Sequence, residues 1–169
     1  HLADVGVYKG GSSFLFAKLI KIFEPESHVL CHGFDWFKGQ VNGANDSNLT
    51  STGGYSSDGE KILDLLKYQK LDNILKIHNF DLCTEIESFF EKNSHIRFKL
   101  VNMDCGKYDV VKSCIRHFWN RLNKGGIMIF DQYSHELAPG ETQAIHEELP
   151  NIEIKTLQNS WTPTAYTIK

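Results

Sequence analysis

The stretch Asp4-Val5-Gly6-Val7-Tyr8-Lys9-Gly10-Gly11-Ser12-Ser13 decides the fold. It overlaps an apolar run from Leu2 to Val7 that reads as a first strand, and it opens Ser12 to Phe23, where apolar residues return at helical spacing. A strand that turns through glycines into a helix is the opening unit of a parallel α/β sheet. Gly6, Gly10 and Gly11 let the backbone approach a ligand and take torsions that a Cβ forbids, and Ser12 or Ser13 is available to cap the helix. The spacing is not GxGxxG, and no GKS or GKT ending follows. A nucleoside ligand without a phosphate chain therefore suits the turn better than a dinucleotide or a nucleoside triphosphate.

Outward from this turn the alternation continues. Strands are predicted at His28 to Phe34, Ile74 to His78, Arg97 to Met103, Gly126 to Phe130, Ile152 to Leu157 and Thr164 to Ile168. Helices are predicted at Asp58 to Leu71, with Ser57 or Asp58 as cap, at Thr84 to Glu91, and at Glu141 to Leu149. Another helix carries Val110, Val111, Cys114, Ile115, Phe118 and Leu122 and is expected to end through the glycines of Asn123-Lys124-Gly125-Gly126. The connection from Lys38 to Asp58, rich in Gly, Ser and Asn, is too long for an ordinary loop and reads as an active-site lid or a disordered segment. No internal repeat is present.

Length and composition bound the answer. With 169 residues and 41% hydrophobic content the chain makes one domain with a substantial core. A net charge of -3, without a Lys/Arg cluster beside the aromatics, argues against nucleic acid and for a small-molecule partner. Cys31, Cys83, Cys105 and Cys114 form no CxxC pair and read as reduced thiols of a cytoplasmic protein. No apolar run approaches a membrane span, and no signal-peptide pattern opens the chain. The absent initiating Met and the immediate entry into a strand suggest that further residues precede His1. The sequence leaves a homo-oligomer open.

In an open α/β sheet ligands bind beyond the carboxyl ends of the strands. Asp35, Asp81, Asp104 and Asp131 each follow a predicted strand. S-adenosylmethionine fits such an edge, because its sulfonium is cationic. Asp4 or Asp104 then has an electrostatic reason to lie near the methionine end, and Asp35 can accept from ribose hydroxyls. Trp36 and Phe37 are candidates to wall the adenine, with Asp81 beside it, and Tyr8 to face the methionine end. His135 enters the same loop region after Asp131-Gln132-Tyr133, whereas the other histidines are scattered.

The runs Asp4 to Ser13, Gly33-Phe34-Asp35-Trp36-Phe37-Lys38-Gly39, His78-Asn79-Phe80-Asp81, Gly125-Gly126-Ile127-Met128-Ile129-Phe130-Asp131-Gln132-Tyr133 and Pro139-Gly140 together resemble the macrocin O-methyltransferase family of class I methyltransferases. The resemblance covers nearly the whole chain. It implies a Rossmann-like doubly wound sheet, mostly parallel with an antiparallel last strand. It also implies S-adenosylmethionine as cofactor, bound through Asp4, Gly6, Tyr8, Gly10, Ser12, Ser13, Asp35, Trp36 and Asp81, and methylation of a hydroxyl on a sugar or another small molecule. A divalent metal such as magnesium would be held by Asp104 and Asp131.

The sequence departs from that pattern at Gln132, where the family has a second aspartate, and at Asp104-Cys105-Gly106-Lys107-Tyr108 in place of Asp-Gly-Asp-Leu-Tyr. A glutamine carbonyl still ligates a hard cation but brings no charge. Asp104-x-x-Lys107 with Asp131-Gln132 also resembles the cation-dependent catechol-type O-methyltransferases, which makes Lys107 a candidate base beside Asp104. Activation of the acceptor by a metal at Asp104, Asp131 and Gln132, by a lysine base, or by neither stays open on the sequence. Two rival functions also stand: an S-adenosylmethionine-binding module without catalysis, and a nicotinamide-dependent oxidoreductase on the same fold.

Overall fold

A computed structural model describes residues 1–47 and 51–169. In chain order the elements are β1 (Leu2–Val5), α1 (Gly11–Phe23), β2 (Cys31–Asp35), α2 (Gly59–Tyr68), β3 (Leu75–Asn79), α3 (Ile86–Lys92), β4 (Phe98–Met103), α4 (Tyr108–Arg121), β5 (Leu122–Phe130), α5 (Pro139–Glu148), β6 (Lys155–Thr156) and β7 (Ala165–Ile168). The strands form one seven-stranded sheet in the order β3-β2-β1-β4-β5-β7-β6. β1 to β5 pair in parallel, and β7 runs antiparallel to both β5 and β6. The chain thus winds outward from β1 in one direction and from β4 in the other, which opens a crevice at the carboxyl ends of β1 and β4.

Alternation along β1 distributes the core. Ala3 and Val5 face a cluster with Phe34, Phe90, Phe98, Phe118 and Phe130, packed by α3, α4 and α5. Leu2 faces the opposite cluster, built from Phe14, Ala17 and Ile20 of α1 and Ile62 and Leu66 of α2. Gly33 permits α1 to dock this closely, since a Cβ there would lie 2.8 Å from Val7 Cγ2 and 3.1 Å from Ser13 Oγ. Strand end and helix start are thereby held against each other around the β1–α1 turn.

Some sequence expectations are corrected. α1 is capped by Gly10, in the left-handed region at φ 88°, with no side-chain cap. Ser12 and Ser13 instead donate to Asp4, because α1 starts directly above that buried carboxylate. α4 does not end in a glycine cap: the chain turns extended at Leu122 and β5 begins there, with Gly125 at φ 79° inside it and the register against β4 shifting between Phe98 and Leu100. The expected strand from Ile152 to Leu157 is reduced to Lys155–Thr156, an exposed edge pair. Asp58 caps α2 as expected, accepting from the Glu60 and Lys61 amides. Among the described residues no helix is long and apolar enough to cross a membrane.

Candidate active site

Beyond the carboxyl edge of the sheet lies a cavity of about 520 Å³, within the range of small-molecule sites. Its wall joins Gly6 and Tyr8 from the first turn, Asp35 and Trp36 after β2, Asp81 after β3, Asp104 and Lys107 after β4, and Asp131 and Gln132 after β5. The parallel topology does this: it brings together the ends of successive strands that lie 24 to 44 residues apart in sequence.

The first turn is built by contact between strand ends. Gly6 has φ 98°, and a Cβ there would fall 1.9 Å from the Asp104 carbonyl oxygen, so glycine alone fits. Tyr8 follows with φ 49° and Phe37 with φ 61°, both in the left-handed region that costs a non-glycine residue of order 1 kcal/mol. The Tyr8 amide donates to Asp35 Oδ2 at 2.8 Å and the Phe37 amide to Oδ1 at 2.7 Å. Two strained residues thus fix one carboxylate at the cavity wall. Phe37 itself does not wall the cavity: it is buried, with its ring packed beneath Gly59 at the start of α2.

Asp4, Gly10, Ser12 and Ser13 lie under the turn and off the cavity wall. Asp4 has no exposed surface and accepts from Ser12 Oγ at 2.8 Å, Ser13 Oγ and Asn102 Nδ2 at 2.9 Å. Burial raises its pKa, and the three donors oppose that shift. The same alternation that sends Ala3 and Val5 to the phenylalanine cluster turns Asp4 toward α1.

Where β4 ends, Asp104 is open to the cavity and has protein around its other sides. That enclosure, and then the charges of Asp131, Asp4 and Asp35, raise its pKa to about 7. Lys107, the residue before α4, is 3% exposed rather than solvated; desolvation lowers its pKa and Asp46 opposes the change. Asp131 Oδ1 accepts from Thr162 Oγ1 at 3.0 Å. The Gln132 side chain lies against Gly106, whose added Cβ would sit 2.1 Å from Gln132 Oε1.

Three residues of this region escape sequence reasoning. Glu141, read there only as a helix start, is fully buried and accepts from the Gln132 amide at 2.9 Å. Burial raises its pKa to about 8, the Gln132 amide offsets part of this, and Asp131 and Asp104 add to the rise. Trp161 and Thr162 reach the cavity from the β6–β7 connection, whose sequence carries no pattern pointing there. His135 turns elsewhere, lining a shallow groove with Ser134, Thr142 and His146.

The long connection after β2 covers one side of the cavity through Gly39, Gln40, Val41, Asn42, Gly43 and Tyr55; positions 48–50 lie outside the described residues. It is tied to the first turn by Ser57 Oγ donating to the Tyr8 carbonyl at 2.6 Å, and to α4 by Asp46 Oδ1 accepting from the Tyr108 amide at 2.9 Å.

Residues 3–133 match the family model of a methyltransferase domain. No curated protein matches the chain. Among solved structures, the calicheamicin methyltransferase CalS11 superposes with a TM-score of 0.82 at 20% identity, over 99% of this chain and 71% of that one. The O-methyltransferase NovP gives 0.79 at 15% identity over 99% and 71%. Fibrillarin of Aeropyrum pernix, solved with natively bound S-adenosyl-L-methionine, gives 0.59 at 14% identity over 99% and 66%. At such identities these likenesses establish the fold, and the family match separates the chain from nicotinamide-dependent oxidoreductases of similar architecture.

Proposed function

Because the chain belongs to the methyltransferase-domain family, we propose that it transfers the methyl group of S-adenosylmethionine to a hydroxyl oxygen of a small molecule, sugar-like or another secondary metabolite. The observation that carries this reading is a single cavity with two chemically different ends. One end is the Gly6–Tyr8 turn with Asp35, Trp36 and Asp81, suited to a nucleoside; the other gathers Asp104, Lys107, Asp131 and Gln132.

In this reading Asp35, oriented by its two amides, accepts from the ribose hydroxyls, Trp36 offers an aromatic wall to the adenine, and the cavity carboxylates favour the sulfonium. Transfer is an in-line displacement: the carbon–sulfur bond breaks as the carbon–oxygen bond forms, the sulfonium becomes a neutral thioether, and the acceptor oxygen gives up its proton. Asp104 and Lys107 are the groups here whose surroundings bring their pKa values toward neutrality from opposite sides, and the proton goes to one of them. The likeness to O-methyltransferase structures supports oxygen as the acceptor atom.

We propose further that Asp104, Asp131 and Gln132 offer oxygen donors of the kind a divalent cation takes. Among the described residues no group of three or more His, Cys, Asp or Glu is placed to hold a metal. Asp104 and Asp131 with the Gln132 amide oxygen make the smaller set that magnesium uses when water and substrate complete its shell, and the repulsion between the two carboxylates would be relieved by a cation. Bound there, such a cation would lend Lewis acidity to the acceptor oxygen.

Calorimetry with S-adenosylhomocysteine, followed by transfer of labelled methyl to a panel of hydroxylated small molecules, tests the reading. Binding with O-methylated product is the expected result; no binding of cofactor or product at millimolar concentration would overturn it. Binding without turnover on any acceptor would favour a non-catalytic module. Asp104→Asn and Asp131→Asn should each abolish any magnesium dependence, and dependence unchanged in both defeats the cation assignment.

A further inference from the structure

Trp161 is fully exposed, at 101%, yet it stands on the wall of the cavity. A large aromatic ring uncovered by its own chain contributes little to holding the fold, and on a cavity wall it leaves an apolar face free for an occupant from outside the chain. The backbone that carries it is fixed. The Leu157 amide donates to the Thr164 carbonyl at 2.9 Å, the Thr164 amide donates to Ser160 Oγ at 3.3 Å, and Pro163 restricts φ on the far side of Thr162. Thr162 then donates to Asp131, so the residue next to Trp161 is bonded directly to a carboxylate of the acceptor end. The backbone on either side of the indole is thereby tied down next to Asp131.

The charge of the cavity limits what can lie on that ring. Asp35, Asp81, Asp104, Asp109 and Asp131 line it, against Lys107 as the lysine on the same wall. In the cavity without a bound cation, an anionic ligand would add like charge to these carboxylates, at a cost in affinity. An uncharged ring would not.

We propose that Trp161 is the acceptor platform: an uncharged, hydroxylated ring lies with its C–H face on the indole and directs one hydroxyl toward Asp131. This rests on reading the cavity as a methyl-transfer site, and it assigns Trp161 to acceptor selection rather than to chemistry.

Saturation-transfer NMR tests it on the protein with and without S-adenosylhomocysteine, using methyl α-L-rhamnopyranoside, methyl α-D-glucopyranoside and glucose 1-phosphate as probes. Ring C–H protons of at least one neutral glycoside should receive saturation from the wild type. Affinity should fall about tenfold in Trp161→Ala, the loss of one aromatic contact, and be largely kept in Trp161→Phe. Glucose 1-phosphate should give no transfer. Equal signals in Trp161→Ala, silence from both neutral glycosides, or binding of the phosphate as strong as theirs would overturn the proposal. Trp161 touches nothing that holds the fold, so its variants should keep the wild-type Tm and S-adenosylhomocysteine affinity. If the wild type binds no S-adenosylhomocysteine the methyl-transfer reading falls instead, and the cofactor-free arm still decides whether Trp161 holds a ring.

Discussion

Asp35 and Asp4 are both acids at the edge of the same turn, and their surroundings give them opposite work. Asp35 spends its inner lone pairs on the amides of Tyr8 and Phe37 and keeps the rest for the cavity. Asp35→Ala removes the proposed ribose acceptor and leaves two amides to find water. Hydrogen bonds to charged groups are worth roughly 1.5–3 kcal/mol, so S-adenosylhomocysteine affinity should fall about ten- to a hundredfold by calorimetry. An unchanged Kd would remove Asp35 from the cofactor site. Asp4→Ala leaves Ser12, Ser13 and Asn102 without their buried acceptor and should lower stability in urea unfolding by about 2–4 kcal/mol. A loss within 0.5 kcal/mol would mean that those donors find other partners. The sequence shows both residues as polar groups near glycines. It shows Asp35 better, because a carboxylate at a strand end has a general reason to face a ligand. Asp4 lies inside its strand, where the face that holds it depends on register and on how closely α1 docks. Glu141 and Trp161 are illegible for a further reason: Glu141 turns back onto the Gln132 amide from the next helix and Trp161 returns from the β6–β7 connection, and nothing local marks either destination.

The β2–α2 connection shows what an element gains from anchors far away in sequence. Gly, Ser and Asn content marks it as irregular but does not tell a strap from a loose loop. Its placement rests on particular bonds: Trp36 Nε1 to the Gly39 carbonyl at 2.7 Å, the Gln40 amide to the Gly54 carbonyl at 2.8 Å, and Asp46 on the Tyr108 amide. The last also puts a carboxylate at the amino end of α4, where the helix dipole favours it. Asp46→Ala should therefore free the middle of the connection. Limited proteolysis should cut between residues 38 and 58 several-fold faster while global Tm changes by only a few degrees, and the acceptor KM should rise more than kcat falls. Wild-type cleavage rates in the variant would show that Asp46 does not anchor it. Long periodic elements such as α1 and α4 were legible because burial of one face writes itself into the spacing. β5 was misjudged at its start because Leu122 continues the helical period while its backbone is already extended, and β6 was overestimated because an exposed edge pair imposes no pattern on its neighbours.

At the scale of the whole molecule, the sheet joins two demands: a polar carboxyl edge and a dry interior beneath it. His32, buried on β2, and His78, half-buried on the edge strand β3, are paired Nδ1 to Nε2 at 2.9 Å and flanked by Phe34, Phe89 and Phe98. His28 precedes His32 by four residues, but on non-helical chain leading into β2, so the partner of His32 comes from β3 instead. Burial lowers the His32 pKa to about 3, helped by His78, the amino terminus, Lys76 and His95, and burial lowers that of His78 to about 4. At pH 7 both rings are neutral in the folded chain and mostly neutral in the unfolded one, so their titration contributes only a shallow slope there. Below about 6.5 the unfolded chain takes up protons that the folded chain refuses, so stability falls with pH until the folded rings themselves protonate near 4 and 3. Each imbalanced imidazole contributes a slope of up to about 1.4 kcal/mol per pH unit, which amounts to at least about 3 kcal/mol lost between pH 6.5 and 4. Urea unfolding across that range should show the decline, and His32→Leu/His78→Leu, which removes the titration while keeping apolar volume, should flatten it. An equal slope in the double variant would place the acid sensitivity elsewhere. A flattened one would show that the β2–β3 side of this sheet, and not only its carboxyl edge, sets the pH range in which the fold persists.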